Sequence, residues 1–280
     1  MRPDTERARV DALPTPLLAK AATPYVALSG AANVVMQLSW PQVGYGVKDS
    51  PVEEATLFNH PRRRQRTTVG FLAVAVHGTA AERAAYRKAV NGSHARVRSA
   101  PGARPAYHAM DPELQRWVAA CIYRGFEDAY QAVHGPLGPL AEEFYRQGVI
   151  FGAMLQMPPD LWPADRAAFE EHWRESLRAV RIDDAVRDYL MRVIRMEYVG
   201  ERVSRRVARP RTWLTTGFLM PPFREAMGLA WTPDDQRSFE TFTRRAAAVI
   251  RRSPARVRGA PFGAAIRDVR RRLAEGTPLF

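Results

Sequence analysis

Five side chains in two short segments combine an imidazole, three guanidinium groups and a hydroxyl group. Arg63, Arg66 and Thr67 fall in HPRRRQRTTVGFLAVAVHG, a segment that begins basic and then turns apolar. His94 and Arg98 follow in NGSHARVRS, four residues apart, which predicts one shared helix face. A haem needs one neutral imidazole for its iron and cations for its propionates. We therefore predict that His94 binds the iron and that Arg98 pairs with a propionate.

Each of these residues also has a plainer interpretation. A histidine that shares an apolar face with Val90 and Val97 is more often a satisfied core residue than a ligand. A run such as RRRQR is more often a solvated helix start. However, a buried imidazole beside a guanidinium is costly unless an anion neutralises the arginine, and arginines at a helix N-terminus oppose the helix dipole. These costs favour a functional reason for the pattern.

The elements that must position these residues are predicted to be helices. One helix should begin at Pro61 or Arg62 and end at His77, where Gly78 stops it. A capping box of Thr79 and Glu82 should open the next helix, which is expected to carry both His94 and Val97. Upstream, the stretch PQVGYGVKDSPVEEATLFNHP predicts a long functional loop.

The remaining chain predicts the same class of structure. Downstream, GERVSRRVARPRT is interpreted as a polar connector, and residues 253–280 as a basic amphipathic tail. We predict an all-α fold in which residues 1–280 form a single helical domain. The other predicted helices cover about 22–38, about 112–133, from 139 through 151, about 164–180, 184–196 and 233–252, with short helices near 221–222.

Composition excludes several classes of protein. The 280 residues are 46% hydrophobic, enough for a sizeable core, and carry a formal net charge of +13. Only three of the 42 basic residues are lysines, so part of the arginine excess is interpreted as codon bias. Cys121 is the only cysteine, which rules out an intrachain disulfide and a cysteine-rich metal site. No secretory signal and no 18-residue apolar span occur, so a cytoplasmic protein is expected. The HExxH, GxGxxG, Walker and GxSxG motifs are also absent from the sequence, so it gives no support to the sites that these motifs mark.

An ordered set of motifs over about residues 25–235 resembles a known family. The motifs are WPQVGYGV, then RxxxT as Arg63 to Thr67, then FLAVAVHGT, HARVR, YHAMDPELQRWV and LMPPFREAMGLAW. In this order they resemble the haem-dependent oxygenases typified by fungal MpaB and the bacterial latex clearing protein, the rubber oxygenase. The resemblance implies an all-α, globin-like core around a haem b pocket.

The resemblance also implies roles for the five residues. His94 would be the proximal iron ligand, Arg98 would sit beside the haem, and Arg63 and Thr67 would lie near the distal pocket. This chain departs from the family in having Arg66 where rubber oxygenases have a lysine that can bind the iron. Trp40 also replaces a family histidine. For the family's acidic general base, Asp49, Glu53 and Glu54 are all left open as candidates.

The function predicted on this basis is that of a haem b-dependent oxygenase or oxidase acting with dioxygen on a hydrophobic small molecule. An isoprenoid cleaved at a C=C bond or a secondary metabolite would be the substrate, and an external reductant is a candidate partner. Hydroxylation, desaturation and oxidative cyclisation stay open as alternative reactions. A haem carrier or sensor, and a basic helical protein that binds nucleic acid, are alternatives of other classes.

Overall fold

The chain folds into helices connected by short segments in this computed structural model, which describes residues 3–52 and 56–280. Within those residues no strand forms, and Arg98 and His108 make an isolated antiparallel bridge. The prediction of an all-α fold is therefore confirmed. The first eight helices are α1 (Pro3–Asp11), α2 (Pro16–Ala21), α3 (Pro24–Leu38), α4 (Pro41–Lys48), α5 (Pro61–His77), α6 (Ala80–His94), α7 (Pro112–His134) and α8 (Ala141–Gln147). The next eight are α9 (Val149–Met154), α10 (Arg166–Leu177), α11 (Asp184–Ile194), α12 (Glu201–Phe218), α13 (Pro221–Met227), α14 (Pro233–Arg252), α15 (Ala255–Arg258) and α16 (Ala260–Glu275).

Helix starts with strong capping residues lie where the sequence predicts them. Thr79 and Glu82 form a reciprocal capping box at the start of α6, with bonds of 3.2 Å and 2.8 Å. Asp111 accepts the Glu113 N–H at 2.9 Å ahead of α7, and Thr232 caps α14 in the same manner as Thr79. These bonds satisfy N–H groups that would otherwise lack partners in the first turn, so a few local residues fix each boundary.

Two predicted irregular segments are helical instead. Residues 41–48, predicted as part of a long loop, form α4, which begins with Pro41 at its first position. Its Gly44 lets the helix approach α11, since a Cβ there would lie 2.8 Å from the Leu38 carbonyl oxygen and 3.1 Å from Val186. The basic segment predicted as a connector forms the first two-thirds of α12, in spite of Pro210 inside it. Both predictions were wrong because tertiary packing outweighed glycine, proline and charge content.

The core centres on α7, which packs against α3, α9, α2 and α14. The indole of Trp117 on α7 is fully buried and stacks on Trp40 and Trp173 at 4.9 Å and 5.3 Å. Trp40 also donates to the Ser176 carbonyl oxygen at 3.2 Å. Trp40, which replaces the family's histidine, therefore packs in this core.

A buried ion network connects α7 to α10. Glu127 on α7 is 1% exposed and accepts hydrogen bonds from the Tyr123 hydroxyl at 3.0 Å, Arg124 at 2.6 Å and Arg166 at 3.0 Å. Arg124 also pairs with Glu170 on α10. Two guanidinium and two carboxylate groups balance each other there, as buried charges require.

The basic C-terminal residues pack against α5 as helix α16. Phe262, Ile266 and Val269 on one face of α16 are buried in the main hydrophobic cluster. Arg270 on its outer side donates to Glu82 at 2.8 Å and so connects α16 to the start of α6. Helix α5, which carries the arginine run, is thus covered on one side by α16. The single domain over residues 1–280 stays a prediction.

Helices α5 and α6 form a close antiparallel pair. A Cβ at Gly70 of α5 would lie 2.8 Å from the Tyr86 hydroxyl of α6, so only glycine allows this approach. Two buried arginines of α6 then attach α1. Arg83 donates to the carbonyl oxygens of Asp11 and Leu13 at 2.8 Å each, and Arg87 binds both Asp11 carboxylate oxygens at 2.6 Å and 2.7 Å. No helix in the described part of the chain is long and apolar enough to cross a membrane.

Candidate functional site

His94 is the last residue of α6 and has a buried ring nitrogen without a partner. Its Nδ1 atom is buried and makes no hydrogen bond, and its Nε2 atom has no partner among the described residues either. Burial lowers the pKa of His94 to about 4, with a further contribution from the charge of Arg64. The imidazole is therefore neutral at pH 7, although a helix C-terminus favours a protonated histidine. A neutral ring with uncommitted nitrogens has the chemistry of a metal ligand.

Arg64 is the cation that the fold brings near His94. It lies in the first turn of α5, and burial lowers the pKa of its guanidinium, which is only partly offset by Tyr189 and Tyr86. Within the described residues the guanidinium has no hydrogen-bond acceptor and no acidic partner. A partly buried cation without a counter-charge is costly, so it predicts an anionic group that this structure does not contain.

A second unpartnered polar atom lies one turn from His94. The Oδ1 atom of Asn91 is buried and accepts no hydrogen bond. Positions 91 and 94 share a helix face, so two acceptors without donors lie at the end of α6 that Arg64 approaches. Buried polar groups are normally paired, and several unpaired groups at one location are typical of a site that binds a ligand.

Thr67 and Tyr86 connect the two helices beside this location. Thr67 is buried on α5, and its hydroxyl donates to the Arg64 carbonyl oxygen at 3.1 Å. The fully buried Tyr86 donates from its hydroxyl to the Thr67 carbonyl oxygen at 2.7 Å. These bonds fix the first turns of α5 against α6. Thr67 thus faces the interior, as its place in the predicted site requires.

Arg66 lies on a different side of α5. Burial and the charge of Arg272 lower the pKa of its guanidinium, while Asp268 acts in the opposite direction. Arg272 and Asp268 both belong to α16. The Nε atom of Arg66 is buried and has no hydrogen-bond partner among the described residues. The structure therefore places Arg66 against α16, with no interaction recorded between it and His94.

Arg63 and Arg98 are not brought to His94 by any hydrogen bond or ion pair in the described residues. Arg63 is partly exposed on α5. The prediction that Arg98 shares a helix face with His94 was wrong, because α6 ends at His94 and Arg98 lies in the bridge with His108. The Arg98 side chain is exposed there. Its backbone pairs with the segment before α7, and this pairing ends the helix earlier than the apolar spacing predicts.

Among the candidate general bases, Asp49 makes no hydrogen bond with His94 within the described residues, and the other two lie outside those residues. Asp49 follows α4, pairs with Lys48 at 2.6 Å and is half-exposed. It interacts electrostatically with Tyr45 and Tyr107. Glu53 and Glu54 lie outside the described residues.

An open cleft of about 470 Å³ lies between the end of α4, the segment before α5, and α11. Tyr189 on α11 lines this cleft, and burial raises the pKa of its hydroxyl, against the effect of Arg64. The ring of Phe58 packs edge-on against Tyr189 at 5.5 Å, and Arg192 lies 4.1 Å over the Phe58 ring. The cleft therefore has aromatic walls and a charged rim, and Tyr189 is shared between the cleft and the surroundings of Arg64.

These residues fit a haem. In residues 3–52 and 56–280, no three His, Cys, Asp or Glu side chains come close enough to hold a metal ion. A haem asks for only one protein ligand, because its macrocycle supplies four nitrogens. The unpartnered imidazole of His94 matches that ligand, and the uncompensated guanidinium of Arg64 matches a propionate.

Arg64 was not among the predicted site residues, although the sequence contains a signal for it. The buried face of α5 includes Thr67, Gly70, Phe71 and Val74. Extending that stripe one turn back reaches positions 63 and 64 together. The RxxxT pattern selected only the first of the two.

Comparison with known proteins gives one family and two close relatives. Residues 20–252 match the model of a family described as "ER-bound oxygenase mpaB/B'/Rubber oxygenase, catalytic domain". An uncharacterized protein of Mycobacterium bovis and an uncharacterized protein of Mycobacterium tuberculosis are each 45% identical over 212 residues, which is 75% of this chain and 83% of the relative. No solved structure matches the chain significantly.

Proposed function

The chain belongs to the family of the ER-bound oxygenase mpaB/B' and rubber oxygenase catalytic domains, and from that premise we propose that it is a haem b-dependent oxygenase. Membership indicates an oxidoreductase of the oxygenase type, which implies dioxygen and a small-molecule substrate. The proposal adds the cofactor, the iron ligand His94 and a hydrophobic substrate such as an isoprenoid or a secondary metabolite.

One observation carries the choice of cofactor. The neutral imidazole of His94 has a buried, unpartnered Nδ1 atom, and the nearby Arg64 has no counter-charge in the described residues. A haem would satisfy both groups, the first through iron and the second through a propionate. When bound, a haem would supply the redox chemistry that activates dioxygen, which protein side chains lack.

The chain's own residues would hold the ligand and shape its surroundings. Arg64 would bind a carboxylate, and the bonds among Thr67, Tyr86 and the Arg64 carbonyl group would keep the first turn of α5 in place. We propose that Arg63 and Thr67 form the α5 wall of the pocket, that Arg66 holds this wall against α16, and that Arg98 offers a second cation to a propionate.

The cleft beside Tyr189 is the proposed route for the substrate. Its aromatic walls of Phe58 and Tyr189 would exclude water and accept an apolar chain. Arg192 is stacked over Phe58 and paired with Glu197 at 3.2 Å, so it orders the wall without adding a free charge.

Replacing His94 tests the cofactor and its ligand. Purified protein supplied with haem should show a Soret band that shifts on reduction and again with carbon monoxide. The His94→Ala variant should lose this band. His108→Ala is the matched control, because His108 is exposed and has only backbone contacts. Full haem retention with an unchanged spectrum in His94→Ala would refute the assignment.

Product analysis under labelled dioxygen tests the reaction. Cleavage of a C=C bond would place label at both new carbonyl ends, whereas hydroxylation would place it at one carbon. Desaturation and oxidative cyclisation would leave the product unlabelled. A haem carrier or sensor would show no steady turnover with any isoprenoid offered.

A further inference from the structure

The positive charge of this protein is concentrated in one segment. Residues 201–258 contain 13 arginines and five acidic residues, a net charge of +8, whereas the whole chain carries +13. These residues form α12 to α15, in which α12 and α14 pack against each other over α3. Codon bias would raise the arginine content evenly along the chain and does not explain this concentration.

Several arginines in this segment also lack acidic partners, although Arg205 pairs with Glu201 and Arg237 with Asp234. On other helices, surface arginines lie three residues from an acid and pair with it, as Arg174 does with Glu171 at 2.6 Å and Arg187 with Asp184 at 2.5 Å. Within the described residues no ion pair or hydrogen bond involves the guanidinium groups of Arg202, Arg206, Arg209, Arg245, Arg252 and Arg256. Their charges are therefore free to attract an anionic partner.

Apolar side chains alternate with these arginines on the outer face of α14. Phe242 is 38% exposed and Val249 is 66% exposed. With Arg245 and Arg252 they follow a spacing of three, four and three residues, which places all four on one helix face. The same pairing continues in α15, where the exposed Arg256 precedes Val257, which is 52% exposed.

We infer that this outer face of α14 and α15 docks on the surface of an anionic lipid bilayer. Unpaired arginines would contact lipid phosphates, and Phe242, Val249 and Val257 would enter the boundary between headgroups and acyl chains. Nucleic acid would also attract the arginines, but it offers no apolar phase to three exposed hydrophobic side chains. The inference goes beyond the proposed reaction and holds whether or not the protein binds a haem.

Vesicle binding by the full-length protein tests this inference. The probes are vesicles of phosphatidylcholine alone and of phosphatidylcholine with one third phosphatidylglycerol, and co-sedimentation gives the bound fraction. The test variant replaces Arg245, Arg252 and Arg256 with Gln. The matched control replaces three exposed arginines with Gln, namely Arg146 of α8, Arg174 of α10 and Arg178 directly after α10, so both triple variants have the same net charge.

We expect the wild-type protein to bind only the anionic vesicles, with an affinity that falls as salt increases. The test variant should bind about a hundredfold more weakly, since each arginine near a membrane contributes roughly fivefold. The control should stay within about twofold of the wild type. A Val249→Ser variant, which keeps all charges, should weaken binding several-fold because it removes an inserted apolar group. Circular dichroism would confirm that each variant is folded.

Three results would overturn the inference. Equal losses in the two triple variants would show that net charge alone attracts the vesicles. Equal binding to neutral vesicles would show that the arginines do not select anionic lipid. Unchanged vesicle binding by Val249→Ser, together with binding of a DNA duplex that the test variant loses, would identify nucleic acid as the partner.

Discussion

Replacing Arg64 with Met should have opposite effects on folding and on cofactor binding. Arg64 is partly buried, has no acidic partner among the described residues, and has a guanidinium pKa that burial lowers. In the protein without a cofactor, the charge therefore opposes folding. In the protein with haem, the same charge would bind a propionate. Methionine keeps the apolar stem of arginine and removes only the charge and the donors.

The size of both effects follows from the surroundings of Arg64. Apolar replacement of buried charged groups can stabilise a protein by about 1–4 kcal/mol, and we take the lower end because Arg64 is only partly buried. About 1 kcal/mol corresponds to a rise in Tm of roughly 2–4 °C. A hydrogen bond to a charged group contributes about 1.5–3 kcal/mol, so haem should bind roughly 10- to 150-fold more weakly to the variant.

Two measurements on cofactor-free protein separate these effects. Thermal unfolding gives the change in Tm, and absorbance titration gives the affinity for haem. A parallel titration with haem dimethyl ester, which has no propionate charge, should show little difference between Arg64→Met and wild type. Arg62→Met is the matched control, because Arg62 lies in the same turn of α5 and is exposed.

The opposite pattern would refute this reasoning. If Arg64→Met lowered the Tm, the guanidinium would have a stabilising partner in the folded protein. If haem and its dimethyl ester lost affinity equally, Arg64 would act on the shape of the site and would not bind a propionate.

Four further substitutions test the framework of the fold. Glu127→Ala should lower the free energy of unfolding by about 3 kcal/mol, because two partly buried guanidinium groups lose their acceptor and Arg124 keeps only Glu170; a wild-type midpoint in urea would contradict this. Gly44→Ala should cost about 1–3 kcal/mol, since its Cβ would lie 2.8 Å from a backbone carbonyl oxygen, whereas Gly92→Ala, with open space around it, should stabilise α6 by about 0.5–1 kcal/mol in the same denaturation assay. Burial alone would raise the pKa of Glu82, but hydrogen bonds from α16 and from its own cap lower it below the ordinary value of 4.5. The stability that the Glu82 carboxylate contributes is therefore present above pH 4.5 and is lost as the pH falls through its lowered pKa. The free energy of unfolding of Glu82→Gln should consequently depend less on pH below pH 4.5. An unaltered pH profile would argue against the cap.

The helix boundaries that sequence predicts correctly depend on local chemistry. Thr79, Asp111 and Thr232 each supply a side-chain oxygen to N–H groups within three residues. Such bonds form in any tertiary context, so a few letters of sequence suffice. The end of α5 at Gly78 is also set locally, because a Cβ there would lie too close to the Val74 carbonyl oxygen.

The wrong predictions all involve segments whose partners lie outside the local pattern from which they were predicted. The glycines of α4 predict a loop, but Gly44 allows contact with a valine of α11 about 140 residues later. The arginines of α12 predict a solvated connector, but the helix packs on α3 through its other face. His94 and Arg98 have helical spacing, yet pairing with residues near 108 ends the helix between them.

The sequence by itself determined the all-α class, the capped helices, and the presence of an imidazole and several arginines suited to an anionic cofactor. Only the tertiary structure decided which arginine approaches His94. Positions 63, 64 and 66 lie within one turn of α5, so their side chains leave the helix in different directions around its axis. The packing of α5 against α6 and α16 turns Arg66 toward α16 and brings Arg64 near His94. That rotation is set by contacts between helices, which no local pattern encodes.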